Sequence, residues 1–181
     1  MSQTMMSLRR SSTVQAEPVE QPQYLTFRVG GEIYALEIIH IKEIIEYGGL
    51  TEVPMMPRFL RGVINLRGAV VPVIDLAVRF GRATTEIGKR SCIVIVEAEY
   101  GDDWHDLGVI VDSVEEVLEL RPEDIEPPPA FGAQLRSEFI RGMGKIEGRF
   151  VIVLALEHVL SIDEMAELAS AQKQIDPDLE S

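Results

Sequence analysis

The chain has 181 residues, 46% apolar and 26% charged, enough to bury the core of one ordinary globular domain or two small ones. Its 17 basic against 30 acidic residues leave a formal charge of −13, which repels phosphate backbones and so excludes nucleic acid as an expected partner. The longest apolar runs, such as FVIVLAL at Phe150–Leu156, fall far short of the roughly 20 residues a spanning helix needs, so no direct membrane insertion is expected.

Residues 1–22 are rich in Ser, Gln, Glu and Pro and read as a disordered tail. Two arginines in LRRSSTV are followed by polar QAEPVEQPQ, where a signal peptide needs its apolar stretch, so a cytoplasmic protein is expected. Order begins near Tyr24. YLTFRV, the turn Gly30–Gly31 and IYALEI spell a hairpin. GVINLRGAVVPVID predicts a second hairpin, turned at Arg67–Gly68. SCIVIVEAEY, a polar GDDWHD connection and LGVIVDSV form a third, longer one. The single Cys92 can form no internal disulfide and reads as a small buried apolar residue. RPEDIEPPPAFGAQLRSE is a proline-rich surface connector, and GMGKIEGRFVIVL is a fourth hairpin turned at Glu147–Gly148. IDEMAELASAQ predicts a helix over about 163–172, with Asp163 as a candidate N-cap, before a short tail at 173–181.

The chain repeats itself. FLRGVINLRGAVVPVIDL (Phe59–Leu76) aligns without a gap on FIRGMGKIEGRFVIVLAL (Phe139–Leu156), with seven identities in eighteen positions where roughly one is expected by chance. Upstream, YALEIIHIKEII (Tyr34–Ile45) matches LGVIVDSVEEVL (Leu107–Leu118) in apolar pattern, and Glu43 falls on Glu116. The first offset is 80 and the second 73, and the proline-rich connector absorbs the difference. These patterns predict an all-β fold of two small five-stranded barrels in a pseudo-repeat, about 23–86 and about 87–162, because closure removes exposed sheet edges. Exchange of a terminal strand between barrels would move the spatial boundary away from Glu86.

Catalytic patterns are sparse. His40, His105 and His158 have no metal-ligand spacing, no nucleophile elbow or phosphate loop is present, and Asp102–Asp103 reads as a solvated turn. No cofactor is expected. The informative residues are those that differ between the copies: Asn65, Arg67 and Asp75 occur only in the first, so barrel-building does not require them. Arg67 in its tight turn is open to two readings: a solvated charge, or a guanidinium placed for recognition with Glu43 as its partner. Val114 and Val117, three apart, fit core burial or an exposed interface.

NLRGAVVPVIDL, preceded by VPMMPRFLRGVIN, resembles the CheW family of bacterial chemotaxis coupling proteins, and the likeness runs from about Tyr24 to Leu168. The resemblance implies two SH3-like barrels and a non-catalytic adaptor. Its implied partners are the regulatory domain of a CheA-type histidine kinase and the cytoplasmic tip of a chemoreceptor, a methyl-accepting chemotaxis protein, at the inner face of the membrane. Carried over residue by residue, the family's functional positions fall on Glu43, Gly62, Arg67 and Gly68, and its receptor-facing valines on Val114 and Val117. A non-flagellar sensory pathway is the alternative within the binding class. A small-molecule sensor or hydrolase is the alternative outside it, disfavoured because small barrels are filled by their own side chains.

Overall fold

The computed structural model describes residues 21–100, 102–127 and 139–159, together with Glu164 and Ala166. The tail at 1–20, most of the proline-rich connector and the tail at 173–181 lie outside the described residues. Of the helix expected over 163–172, only Glu164 and Ala166 are described, both helical.

Eleven strands are described: β1 (Gln23–Val29), β2 (Glu32–Glu37), β3 (Ile41–Glu46), β4 (Leu60–Leu66), β5 (Ala69–Asp75), β6 (Cys92–Tyr100), β7 (Asp103–Val111), β8 (Ser113–Glu119), β9 (Ile125–Glu126), β10 (Ile140–Ile146) and β11 (Arg149–Leu154). Two four-residue helices, α1 (Leu76–Arg79) and α2 (Leu156–Val159), follow β5 and β11. One sheet runs β9-β10-β11-β2-β1-β8 and the other β3-β6-β7-β5-β4.

The repeat survives at the level of single pairs. In β4–β5, Gly62 faces Val73 and Asn65 faces Val70; in β10–β11, Gly142 faces Val153 and Lys145 faces Phe150, 80 residues on in every case. Both hairpins carry a bulge at the same place, between Leu60 and Gly62 and between Ile140 and Gly142. The turns match as well. Arg67 and Gly68 have φ of 54° and 88°, and Glu147 and Gly148 have 50° and 79°, the two consecutive positive values of a type I′ turn, whose twist suits a two-residue hairpin.

Neither sheet, however, is built from one half of the sequence. The β1–β2 hairpin joins the late β10–β11 hairpin, with Val153 pairing in parallel to Ala35, while β6–β7 joins the early β4–β5 hairpin, with Val73 pairing in parallel to Gly108. Whole hairpins are exchanged, not a single terminal strand. The cause lies in the links: only the short 3-10 turn Ile38–His40 separates β2 from β3, and only Asp112 separates β7 from β8. Neither stretch can reverse the chain, so each strand passes straight from one sheet into the other.

The edges of each sheet are linked by continuous chain. After β3 the segment through Tyr47 reaches β4, where Thr51 and Val63 exchange backbone hydrogen bonds of 2.9 and 2.8 Å; after β8 the chain bends at Pro122–Asp124 into β9, which pairs with β10. Both interiors are small and filled, one by Tyr24, Ala35, Leu120, Val151 and Val153, the other by Val71, Val73, Ile93, Ile95 and Ile110. The largest core lies between the barrels, where Leu25, Phe27, Tyr34, Leu36, Val94, Val96 and Val109 meet Phe59 and Phe139. Strands such as SCIVIV are therefore buried on both faces, one toward a barrel interior and one toward the inter-barrel core, and read as continuous apolar runs.

Candidate functional site

The β4–β5 turn lifts Arg67 to the surface, 73% exposed at the side chain, and its guanidinium grips Glu43 of β3 with both ends: Nη1 donates to Oε2, and Nη2 donates to Oε1 at 2.9 Å. The two-pronged geometry matches the planar fork of arginine to a carboxylate. The hydrogen-bonded guanidinium holds the Glu43 carboxyl below its ordinary pKa, and Glu43 raises that of Arg67. Asn65 supports the turn from inside, its Oδ1 accepting from the Gly68 N–H at 3.0 Å, while Gly68 supplies the second positive φ. The second barrel has no such pair. There the equivalent positions are Glu116 and Glu147, both exposed acids.

Gly62 lies on β4 and presents no side chain. It is buried, and a Cβ there would come within 2.5 Å of the Thr51 carbonyl oxygen, so its absence of a side chain lets the closing segment pack on β4. Gly142 does the same against Ile125 and Glu126. Val114 is half-buried and packed on the inter-barrel core, whereas Val117 is 47% exposed on β8 at the edge of its sheet. The two valines thus divide between the alternatives. Repeat register places Ile44 of β3 at the position of Val117, and Ile44 is likewise exposed, as are Ile38 and Ile39 in the crossing turn. Those isoleucines were missed from sequence, although the alignment of the two halves already sets Ile44 on Val117.

Asp75 requires a correction. Its presence in only one copy pointed away from a role in building the barrel, but the side chain is fully buried and each oxygen accepts two hydrogen bonds. Oδ1 takes the Ala77 N–H at 3.0 Å, capping α1, and the Thr85 hydroxyl at 2.7 Å; Oδ2 takes Arg61 Nη1 at 2.8 Å and the Thr85 N–H at 2.9 Å. In the second copy Ala155 stands at that place, and the matching Arg141 turns to Glu37 and Glu157 at the surface. One repeat anchors the segment after its helix with a buried carboxylate, and the other lacks that anchor.

Two barrels packed full of their own side chains leave their chemistry on turns and sheet edges, the build of a scaffold that works by what it holds. Comparison with known proteins gives the family. Residues 23–164 match the CheW-like domain, and the chain is 35% identical over 162 residues to the chemotaxis protein CheW of Klebsiella aerogenes, covering 90% of this chain and 95% of that one. It is 32% identical to the chemotaxis protein CheW of Treponema pallidum, over 83% of this chain and 89% of that one. The crystal structure of the scaffolding protein TtCheW from Thermoanaerobacter tengcongensis superposes with a TM-score of 0.71 at 32% identity, covering 80% of this chain and 96% of that one. The chain belongs to the CheW family, and with that family it is a non-catalytic coupling scaffold of chemotaxis signalling. Among the described residues no helix is long and apolar enough to cross a membrane.

Proposed function

We propose that this scaffold joins the regulatory domain of a CheA-type histidine kinase to the cytoplasmic tip of a chemoreceptor, within receptor arrays at the inner face of the membrane. The observation that carries the reading is the Glu43–Arg67 pair, a charged grip held at a rigid turn of one barrel and replaced by two acids in the other. Unlike the buried Asp75, Arg67 is 73% exposed, so its pair with Glu43 is screened by water and adds little to folding. A guanidinium fixed by its carboxylate presents its remaining N–H donors in one direction, as recognition of a partner's carboxylate or carbonyl demands. Glu43, Asn65, Arg67 and Gly68 form the polar part of the proposed contact surface, with Gly62 holding the strand beneath them in place. Val117, exposed on β8 three residues after the half-buried Val114, supplies an aliphatic surface suited to a helical partner such as a receptor hairpin.

The test is reconstitution with purified kinase regulatory domain and receptor tip. Arg67→Ala is expected to leave the melting temperature within a few degrees, since solvent screens an exposed ion pair and leaves it little weight in folding. It is expected to weaken assembly about tenfold, the scale of one lost charge-assisted hydrogen bond at an interface. Unchanged assembly by Arg67→Ala and by Val117→Lys would overturn the reading.

A further inference from the structure

The two barrels leave two equivalent clefts, each between a hairpin tip of one sheet and the helix that follows the other. One is bordered by the Gly30–Gly31 turn, Ala77 and Asp112, with the segment Arg82–Glu86 along it, fixed by the Asp75 anchor. Its counterpart, about 350 Å³, is lined by His40, Glu97, Glu99, Trp104, Arg141 and Glu157 over a floor that includes Leu107, Leu156 and Val159. The hairpin bordering this second cleft is longer than its repeat partner: β6 and β7 have 9 residues each, against 7 and 6 in β1 and β2. The extension carries Trp104, 58% exposed beside the cleft, together with Glu99 across the strand pair from it. Neither the barrels nor the Glu43–Arg67 turn explains an exposed indole at this place.

The electrostatics of the cleft are acidic. Glu97, Glu99 and Glu157 face a single lining arginine, and Arg141 is already held by Glu37 at 3.1 Å and Glu157 at 2.9 Å. Lys42 nearby is held by Asp106 at 3.1 Å and lies 3.8 Å from Glu97. Glu99 makes no ion pair among the described residues. An apolar floor, an exposed indole and Glu99, which has no ion pair among the described residues, fit a segment that offers aliphatic or thioether side chains next to arginine, which stacks on tryptophan and pairs with glutamate.

The chain itself carries such a segment. Residues 1–16 hold Arg9 and Arg10 and no acid, with Met5, Met6 and Leu8 beside them. They lead into β1, whose Tyr24 pairs in register with Glu37, the same glutamate that holds Arg141 at the cleft. The 14 residues from Arg10 to Tyr24 correspond, by the length scaling of linkers, to a span of about 20 Å, enough to cover the flank beside β1. The far end of the chain fits less well, because residues 160–181 carry six acids against one lysine. We propose that the cleft between the β6–β7 hairpin and α2 is a docking site for the chain's own N-terminal segment, with Met5–Arg10 as the occupant.

Trp104 is the only tryptophan in the chain, so its fluorescence reports on the cleft alone. The experiment uses the full chain at low ionic strength, with acrylamide quenching as the readout. The Arg9→Glu, Arg10→Glu double variant is expected to raise the quenching constant about twofold and to shift emission to the red, and high salt is expected to bring the unaltered protein to the same value. Glu99→Arg on the cleft side is expected to do likewise, and combining it with the two tail reversals is expected to restore protection. Equal quenching in the unaltered and tail-reversed proteins would overturn the proposal, as would a combined variant no better protected than the single ones. Protection that grows with protein concentration would place the segment of another copy in the cleft and overturn the intramolecular form.

Discussion

Replacing Asp75 by alanine removes the acceptor of four hydrogen bonds at a site with no exposure to solvent. Breaking one partner out of a buried charged pair costs about 3–5 kcal/mol, since the partner is left uncompensated. Arg61 keeps 22% of its side chain exposed, so water can reach the freed guanidinium and the lower end of that range applies to the pair. The Thr85 N–H and the α1 cap add about 1 kcal/mol, for a total of roughly 4 kcal/mol. In a chain of this length each kcal/mol lowers the melting temperature by about 2–4 °C, so Asp75→Ala is expected to melt about 10 °C below the unaltered protein by calorimetry. Asp75→Asn, which keeps the shape and part of the bonding, is expected to lose about half as much. Adding Arg61→Met to Asp75→Ala is expected to recover part of the loss, because removing both charges leaves no charge unpaired, while the Thr85 and Ala77 donors still lack their acceptor. A fall of less than about 3 °C for Asp75→Ala would refute the reasoning, showing that the fold manages there as it does at Ala155.

The Glu43 carboxyl, held below its ordinary pKa by Arg67, contributes to stability at pH above the unfolded value and loses that contribution as pH falls through the lower folded value. Carbon-13 titration of the Glu43 carboxyl is expected to give a midpoint below that of a free glutamate and to return to it in Arg67→Ala. Val117→Lys is expected to leave thermal stability nearly unchanged because the side chain is half in solvent, whereas Val114→Lys, which drives a charge against the inter-barrel core, is expected to lower it by several degrees in the same calorimetric assay. Gly62→Ala places a methyl group against the Thr51 carbonyl and is expected to cost about 1–3 kcal/mol in denaturant unfolding, while Gly31→Ala, with open space around it but φ of 87°, is expected to cost about 1 kcal/mol or less.

What the sequence by itself determined was local. Alternation, the Arg67–Gly68 and Glu147–Gly148 turns, and an eighteen-residue repeat defined four hairpins, and the ungapped alignment already carried the shared register, because turn type and strand length fix a hairpin without reference to the rest of the chain. The Glu43–Arg67 pair was also legible, since the copies differ at the arginine and Glu43 stood as its candidate partner before the family resemblance carried over both. Which hairpin joins which barrel was decided by the tertiary structure. The two halves offer interchangeable hairpins, and only the three-residue link at Ile38–His40 and the single Asp112 force the exchange. The role of Asp75 was equally hidden, because its partners Arg61 and Thr85 lie 14 and 10 residues away and meet it only once the segment after α1 folds back. Burial turned a carboxylate that looked dispensable into an anchor, through the cost of leaving a charge unpaired away from water, which no pattern along the chain records.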